Sequence, residues 1–388
     1  MRSVVSGLVV VGLLAGGPSF AQQRATAPAP PASLMAAARE ALTAGRAANA
    51  VAIAEAVLQQ SASHRDATDV RICGLVSLGN VRAAHEAYDR FVTLSRVEDL
   101  ALLRPIALGH LRAMAADGAV EWRLRVAALE RLAKSGDAGA DRDLQRLSAE
   151  GAGTGLGVMA DAALAKVGDK AAVRRLADAA SSDRLRDKSL VADALRAVGA
   201  RDQAHVLVPL LADENPMTRI AALEALADLG YKPAIPEIRA LLDDDYRGMP
   251  GRAALALKRL GDSSADDRLG DLSKSPAPDM WLVAIDLSPA MKPADRDAII
   301  KQVLANADPR MRVRAAEVLA RTDPAAARGI LGKIAEEGDV SARTEAARGL
   351  EPLAAAGDAG VLHKLVGEPN PWLRLYGAGG VVAATRRN

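Results

Sequence analysis

The sequence predicts an all-α fold, an α/α superhelical solenoid of stacked helical hairpins, and three observations predict it. Apolar residues recur in register every 31 positions from about residue 119 to the C-terminus. A shorter stretch before it, residues 34–95, matches itself at an offset of 34. Half of the 388 residues are hydrophobic and a quarter charged, yet only nine are aromatic (three Trp, four Tyr, two Phe). Such a chain folds, but it must build its core from many copies of aliphatic side chains.

At the N-terminus, Arg2 precedes an apolar run from Val4 to Ala15, and Gly16, Gly17 and Pro18 then break it. Ser19 and Ala21 are the small residues of a cleavage site, so residues 1–21 are expected to be an export signal cut before Gln22. About a dozen apolar residues are too few for a stable membrane span. No later segment holds 18 uninterrupted apolar residues, so no transmembrane segment is expected after cleavage. Residues 22–33, QQRATAPAPPAS, form an Ala/Pro-rich linker, extended because proline lacks the amide donor and fixes φ. The expected location is the periplasm or cell envelope, with secretion the further option.

In residues 34–95 the offset of 34 brings Gly45 onto Gly79, Ala50 onto Ala84, Ala54 onto Tyr88 and Val57 onto Phe91. Each glycine falls between two apolar-periodic segments, where one helix ends and the next begins. The small alanines lie where paired helices approach closely. These two units resemble tetratricopeptide repeats, most clearly in LVSLGNVRAAHEAYDRFVTL. Two units are few for independent stability, so a helix within residues 96–118 is expected to join them to the longer array.

From residue 119 to 388 three columns keep the step of 31. One is Leu176, Leu207, Ile238, Leu269, Ile300, Leu331 and Leu362; the second is Leu210, Leu241, Leu272, Val303, Ile334 and Leu365. The third runs Leu164, Leu195, Leu226, Leu257, Ser288, Leu319, Leu350 and Val381, broken only at Ser288. Pro216, Pro309 and Pro371 share one position, suited to a first helical turn. Gly136, Gly168, Gly199, Gly230 and Gly261 close the first helix of their units, mostly with Asp close behind to cap the next. Gly248, Met249 and Pro250 crowd one helix start, and a kink is expected between there and Pro278.

The strings NPMTRIAALEALADLG, DPRMRVRAAEVLARTD, WRLRVAALERLAKSGD and SARTEAARGLEPLAAAGD resemble the first helix of HEAT repeats in the short form common in bacteria. The likeness covers 119–388, nearly nine units; the Thr-Pro-Leu-His signature of ankyrin repeats, the nearest rival period, is absent. The resemblance implies a curved ramp with an extended concave face. It also implies that Arg125, Lys188, Arg219, Arg312, Arg343 and Arg374, which recur at one position, form a structural ladder with groups such as Asp213, Asp308 and Asp339; the alternative for these residues is a charged track for an acidic ligand.

Composition narrows the function classes. Fifty basic residues against 48 acidic ones give a net charge of +2, which argues against a nucleic-acid partner. One cysteine, Cys73, rules out an intrachain disulfide and a multi-Cys metal site, and its helical setting reads as packing more than as a nucleophile. GAGTGLG at 151–157 lacks the spacing and the Lys-Ser or Lys-Thr of a phosphate loop and reads as an inter-repeat turn. The five histidines show no i, i+4 pair. HEAT-like hydroxylases rely on repeated His-Glu dipeptides, and His85–Glu86 is the only one in the sequence. No cofactor and no metal is expected.

The expected binding face is the second helix of each unit, with columns that include Arg174, His205 and Asp267, and Asp178, Asp271, Lys333 and Lys364. Neither column keeps one sign or interleaves aromatics, which suits a protein or peptide partner better than nucleic acid. The last unit, PWLRLYGAGGVVAATRRN, ends after one helix, so its apolar residues either pack inward on the preceding unit or leave Trp372 and Tyr376 on an uncovered apolar edge open to a partner or a second copy. The reading is an exported, non-catalytic scaffold for protein–protein interaction; the alternative is a HEAT-like enzyme or accessory of the hydroxylase or bilin-lyase type.

Overall fold

A computed structural model describes residues 31–182, 185–246, 248–273, 285, 293–305 and 308–386. The expected export signal and nearly all of the linker lie outside these residues, as do residues 274–278 of the expected kink and Ser288.

Four helices make the N-terminal hairpins: α1 (Pro31–Thr43), α2 (Ala47–Gln60), α3 (Arg65–Ser77) and α4 (Val81–Ser95). Gly45 and Gly79 turn each hairpin with φ of 73° and 76°, a left-handed conformation that a side chain resists. Ala50 and Ala84 are fully buried, as are Ala54 and Tyr88 in the paired columns. α5 (Leu100–Ala116) packs on α3 and α4 and leads into the longer array.

The first helices of the array are α6 (Trp122–Lys134), α8 (Gly155–Lys166), α10 (Ser189–Ala197), α11 (Pro216–Leu229), α13 (Met249–Leu260), α16 (Pro309–Leu319), α18 (Val340–Leu350) and α20 (Pro371–Arg386). The second helices are α7 (Ala138–Glu150), α9 (Lys170–Ala180), a 3₁₀ helix (Arg201–Ala212), α12 (Ile235–Ala240), α14 (Asp266–Ser273), α15 (Pro293–Leu304), α17 (Pro324–Glu337) and α19 (Ala359–Gly367). Pro209 lies inside the 3₁₀ stretch and removes a helical amide there, whereas Pro236 sits in the first turn of the short α12, where the missing amide costs nothing. The column Leu176, Leu207, Ile238, Leu269, Ile300, Leu331 and Leu362 is buried throughout.

Caps set the boundaries. Asp137, Asp169, Asp308 and Asp339 accept hydrogen bonds from the first amides of α7, α9, α16 and α18. Pro216, Pro309 and Pro371 begin their helices. The basic ladder forms in part: Arg219 meets the expected Asp213, through its carbonyl, and Arg219 and Arg343 both reach a carboxylate of the next unit. Arg219 Nη1 donates to the Asp213 carbonyl at 2.8 Å and its Nε lies 3.0 Å from Asp244 in the next unit. Arg343 likewise reaches the Ala335 carbonyl and the Glu368 carboxylate. Asp308 and Asp339 cap α16 and α18. Gly151 and Gly157 make the 151–157 turn so tight that a Cβ on Gly157 would lie 2.3 Å from the Gly151 carbonyl oxygen.

The stack closes on itself. α20 packs along α5 and α6, and one core joins residues of α3–α9 with Leu362, Val366, Leu375, Ala378, Val381 and Val382. The expected uncovered C-terminal edge is therefore corrected. α20 has a partner, α5, and Leu373, Leu375 and Val381 are completely buried. Trp372 and Tyr376 are only half-exposed, stacked with ring centroids 6.1 Å apart.

Candidate functional site

The inner face of the ring comes from the first helices. They pack on one another in series, α6 on α8, α8 on α10, α10 on α11, α11 on α13, α16 on α18 and α18 on α20, whereas the second helices meet their neighbours far less. Small side chains explain the curvature. Ala222, Ala225, Ala253, Ala254, Ala315, Ala316, Ala346 and Ala347 are buried in these first helices and let them approach closely, while the bulkier Leu and Ile columns of the second helices hold the outer layer apart.

That arrangement reverses the expected concave face. Arg174 and Asp178 on α9, His205 on the 3₁₀ helix, Asp267 on α14 and Lys333 on α17 are exposed side chains of the outer layer, and Asp271 sits on α14 in the same layer. Lys364 is also outside, on α19, where its Nζ is 2.7 Å from Glu336.

The structure instead brings α10, α11, α13 and α16 around one cavity of about 390 Å³. Helices so distant in the stack share a cavity only on the side toward which it curves. The floor is Leu223, Ala227, Leu255, Ala256 and Val318. Around it stand Arg196, Arg252, Arg259, Arg314 and Arg321, with Glu224, Asp228 and Glu317 between them. Arg196 Nη1 donates to Glu224 at 2.7 Å, and Glu224 also accepts from Arg252, so three units share one carboxylate. Asp228 pairs with Arg259, and Glu317 lies 3.0 Å from Arg314 and 3.6 Å from Arg348. The described lining carries five arginines against three carboxylates, and each carboxylate is held in an intramolecular pair.

A sequence signal for this rail exists. Asp228 and Arg259, and Glu317 and Arg348, are opposite charges one full period of 31 apart on the first helices. Arg196, Glu224 and Arg252 step by 28, one helical turn short of the period. Both lie on the first helices, outside the columns expected to bind.

The rail continues to the seam. Lys166 Nζ is 3.0 Å from Glu130, and Arg131 pairs with Glu351 across the closure, its guanidinium 5.3 Å from the Tyr376 ring centre. Burial alone would lower the Arg131 pKa; the Glu351 carboxylate more than offsets this and holds the charge. Cys73 lies elsewhere, on α3. Burial first, and then Asp69, push its thiol up to about 12, so it stays protonated and unreactive. Among the described residues one group of donors has metal-ligand spacing: His85, Asp89 and His363, on the outer side of the seam. No helix among the described residues is long and apolar enough to cross a membrane.

Comparison with known proteins fits this architecture. The family model for HEAT repeats matches residues 204–285. Comparison with curated proteins gives no match. Among solved structures, the complex of CpcE and CpcF of phycocyanin lyase from Nostoc sp. PCC7120 is similar at 21% identity, covering 57% of this chain and 86% of that one, with a TM-score of 0.39. Human deoxyhypusine hydroxylase is similar at 15% identity, covering 72% and 98%, with a TM-score of 0.37. Similarity at this level says nothing of activity. Two-helix units of the same kind flank the matched stretch among the described residues, and the chain is a HEAT-like helical repeat protein.

Proposed function

We propose that the chain is an exported, non-catalytic scaffold that holds a protein or peptide partner on the inner face of its ring, in the periplasm or cell envelope. The observation that carries this reading is the cavity in which five arginines surround an apolar floor. Guanidinium forks match carboxylates in two-point geometry, and the floor accepts a small apolar side chain, so an acidic segment of a partner fits best. The apolar run and small-residue site before Gln22 support export.

The test retains partners from native envelope extract on the chain from residue 22 to 388, beside an Arg314→Glu/Arg321→Glu variant. Both arginines are exposed, so the variant should keep its helicity. A near-stoichiometric partner that survives about 0.15 M salt and is lost by the variant supports the reading. Equal retention by both forms overturns the inner-face assignment. Protein recovered from its native cells should begin at Gln22; an intact Met1 would remove the case for a cleaved signal.

A further inference from the structure

We propose that His85, Asp89 and His363 form a divalent transition-metal site, of the zinc type, that clasps the N-terminal hairpins to the last units of the ring. His85 and Asp89 stand one turn apart on the same face of α4, and His363 reaches them from α19. The ligand atoms of all three lie within 4.8 Å of one another. His363 Nε2 is 2.7 Å from Asp89 Oδ1, and His85 Nε2 is 3.7 Å from the same oxygen. In a tetrahedral site with bonds near 2.0–2.1 Å, ligand atoms stand about 3.3 Å apart, so small rotations of these side chains suffice.

The shell around them is already ordered. His363 Nδ1 is 3.1 Å from Glu98 Oε1, and Glu98 Oε2 accepts the Tyr88 hydroxyl at 2.9 Å. A carboxylate on the far ring nitrogen fixes an imidazole's orientation and raises its basicity, the support that metal-bound histidines characteristically have. Tyr88 packs edge-on against the His363 ring with centroids 4.8 Å apart. Gly367 makes room for His85, because a Cβ there would lie 3.2 Å from its Cε1. Beside His85 is His110, centroids 6.2 Å apart, whose buried Nε2 has no hydrogen-bond partner among the described residues.

Two imidazoles and one carboxylate are the donor set of zinc sites with an open fourth position, and nitrogen donors disfavour calcium and magnesium. The Arg374 guanidinium acts on His85 and His110 and opposes a cation. The two carboxylates, Asp89 and Glu98, outweigh that single charge at close range. The site does not depend on the scaffold reading, since it sits on the outer side of the seam, away from the arginine cavity.

The test uses the untagged chain, stripped with a chelator and titrated with Zn²⁺ by calorimetry and with Co²⁺ by absorbance. One Zn²⁺ per chain is expected, with Co²⁺ giving the intense visible bands of a tetrahedral site. At a hundredfold excess over Kd, Zn²⁺ should raise the Tm by roughly 3–4 °C. His363→Ala and His85→Ala should abolish the site, and Glu98→Gln should weaken it about 10- to 100-fold. Asp89 is exposed, so Asp89→Asn keeps the test open if a histidine variant fails to fold. His64→Ala, outside the cluster, should bind as wild type does. Binding that persists unchanged in Asp89→Asn and His363→Ala, or octahedral-type weak Co²⁺ bands, overturns the proposal, as does a wild-type chain that takes up no Zn²⁺.

Discussion

Glycines in the last helix show how one atom decides the sign of a substitution. Gly377, Gly379 and Gly380 read as helix-weakening residues, yet all three are buried where α20 meets its neighbours. A Cβ on Gly377 would lie 2.5 Å from Leu365 Cβ and 2.8 Å from its carbonyl carbon, atoms of another helix that cannot swing aside. Gly377→Ala gains about 1 kcal/mol of helix propensity, while overpacking against backbone costs about 1–3 kcal/mol, so the variant should be net destabilised. Gly329, in α17, is exposed and has nothing within 4 Å of its would-be Cβ. Gly329→Ala should instead stabilise by about 0.5–1 kcal/mol. Denaturation of the two variants beside wild type checks both signs. The sequence alone could not separate these glycines, because what distinguishes them is a helix more than ten residues away in one case and solvent in the other. Glu130 offers a pH prediction. Burial would raise its pKa, but Lys166 and Lys134 hold it below the ordinary value of 4.5. A carboxyl depressed in the folded state adds stability above its unfolded pKa and loses it as pH falls through the lowered value. Glu130→Gln should therefore be less stable than wild type at neutral pH, and the gap should close as pH falls below 4.5. A constant gap would count against the pairing.

Between elements, the seam is where the ion pairs matter most. Arg131 on α6 and Glu351, just after α18, pair beneath Tyr376 with side chains only 11% and 18% exposed. Removing one partner leaves a buried charge without its counter-ion, at a cost of about 3–5 kcal/mol, whereas removing both is often close to neutral. Arg131→Met should destabilise strongly, and Arg131→Met/Glu351→Met should recover most of the loss in the same denaturation experiment. Additive losses would show that the two side chains act separately. Element starts and stops were legible in the sequence, because caps and prolines act locally: Asp137, Asp169, Pro216, Pro309 and Pro371 each sit where their chemistry puts them. Which layer lies inside was not. Both helices of a unit are amphipathic, and the curvature results from the alanines of one interface weighed against the leucines of the other. Arg174, Asp178, His205, Asp267, Lys333 and Lys364 therefore lie on the convex side.

At the scale of the molecule, repeat periodicity describes what each unit does to the next and is silent on the first unit meeting the last. Nearest-neighbour stacking is readable at a step of 31; ring closure depends on the summed curvature of every interface. The pair Arg104 and Thr385, 2.6 Å apart, and His363 beside Asp89 are the direct record of that closure. Closure changes the expectation for self-association. An open array would present Trp372, Leu373, Leu375 and Tyr376 to a second copy, but in the ring α20 already covers the apolar face of α5, including Leu102, Leu103 and Ile106, all fully buried. The full chain should therefore remain a monomer through this surface. A chain ending at residue 370 lacks α20 and exposes the face of α5 and α6 as one patch, which in water demands cover. Sedimentation at several concentrations should show the full chain unchanged in mass and the shortened chain associating, with Trp372→Ser/Tyr376→Ser losing stability before it gains any tendency to pair. If the shortened chain stays a helical monomer, α20 is not what seals the ring, and closure must rest on the outer contact of α4 with α19.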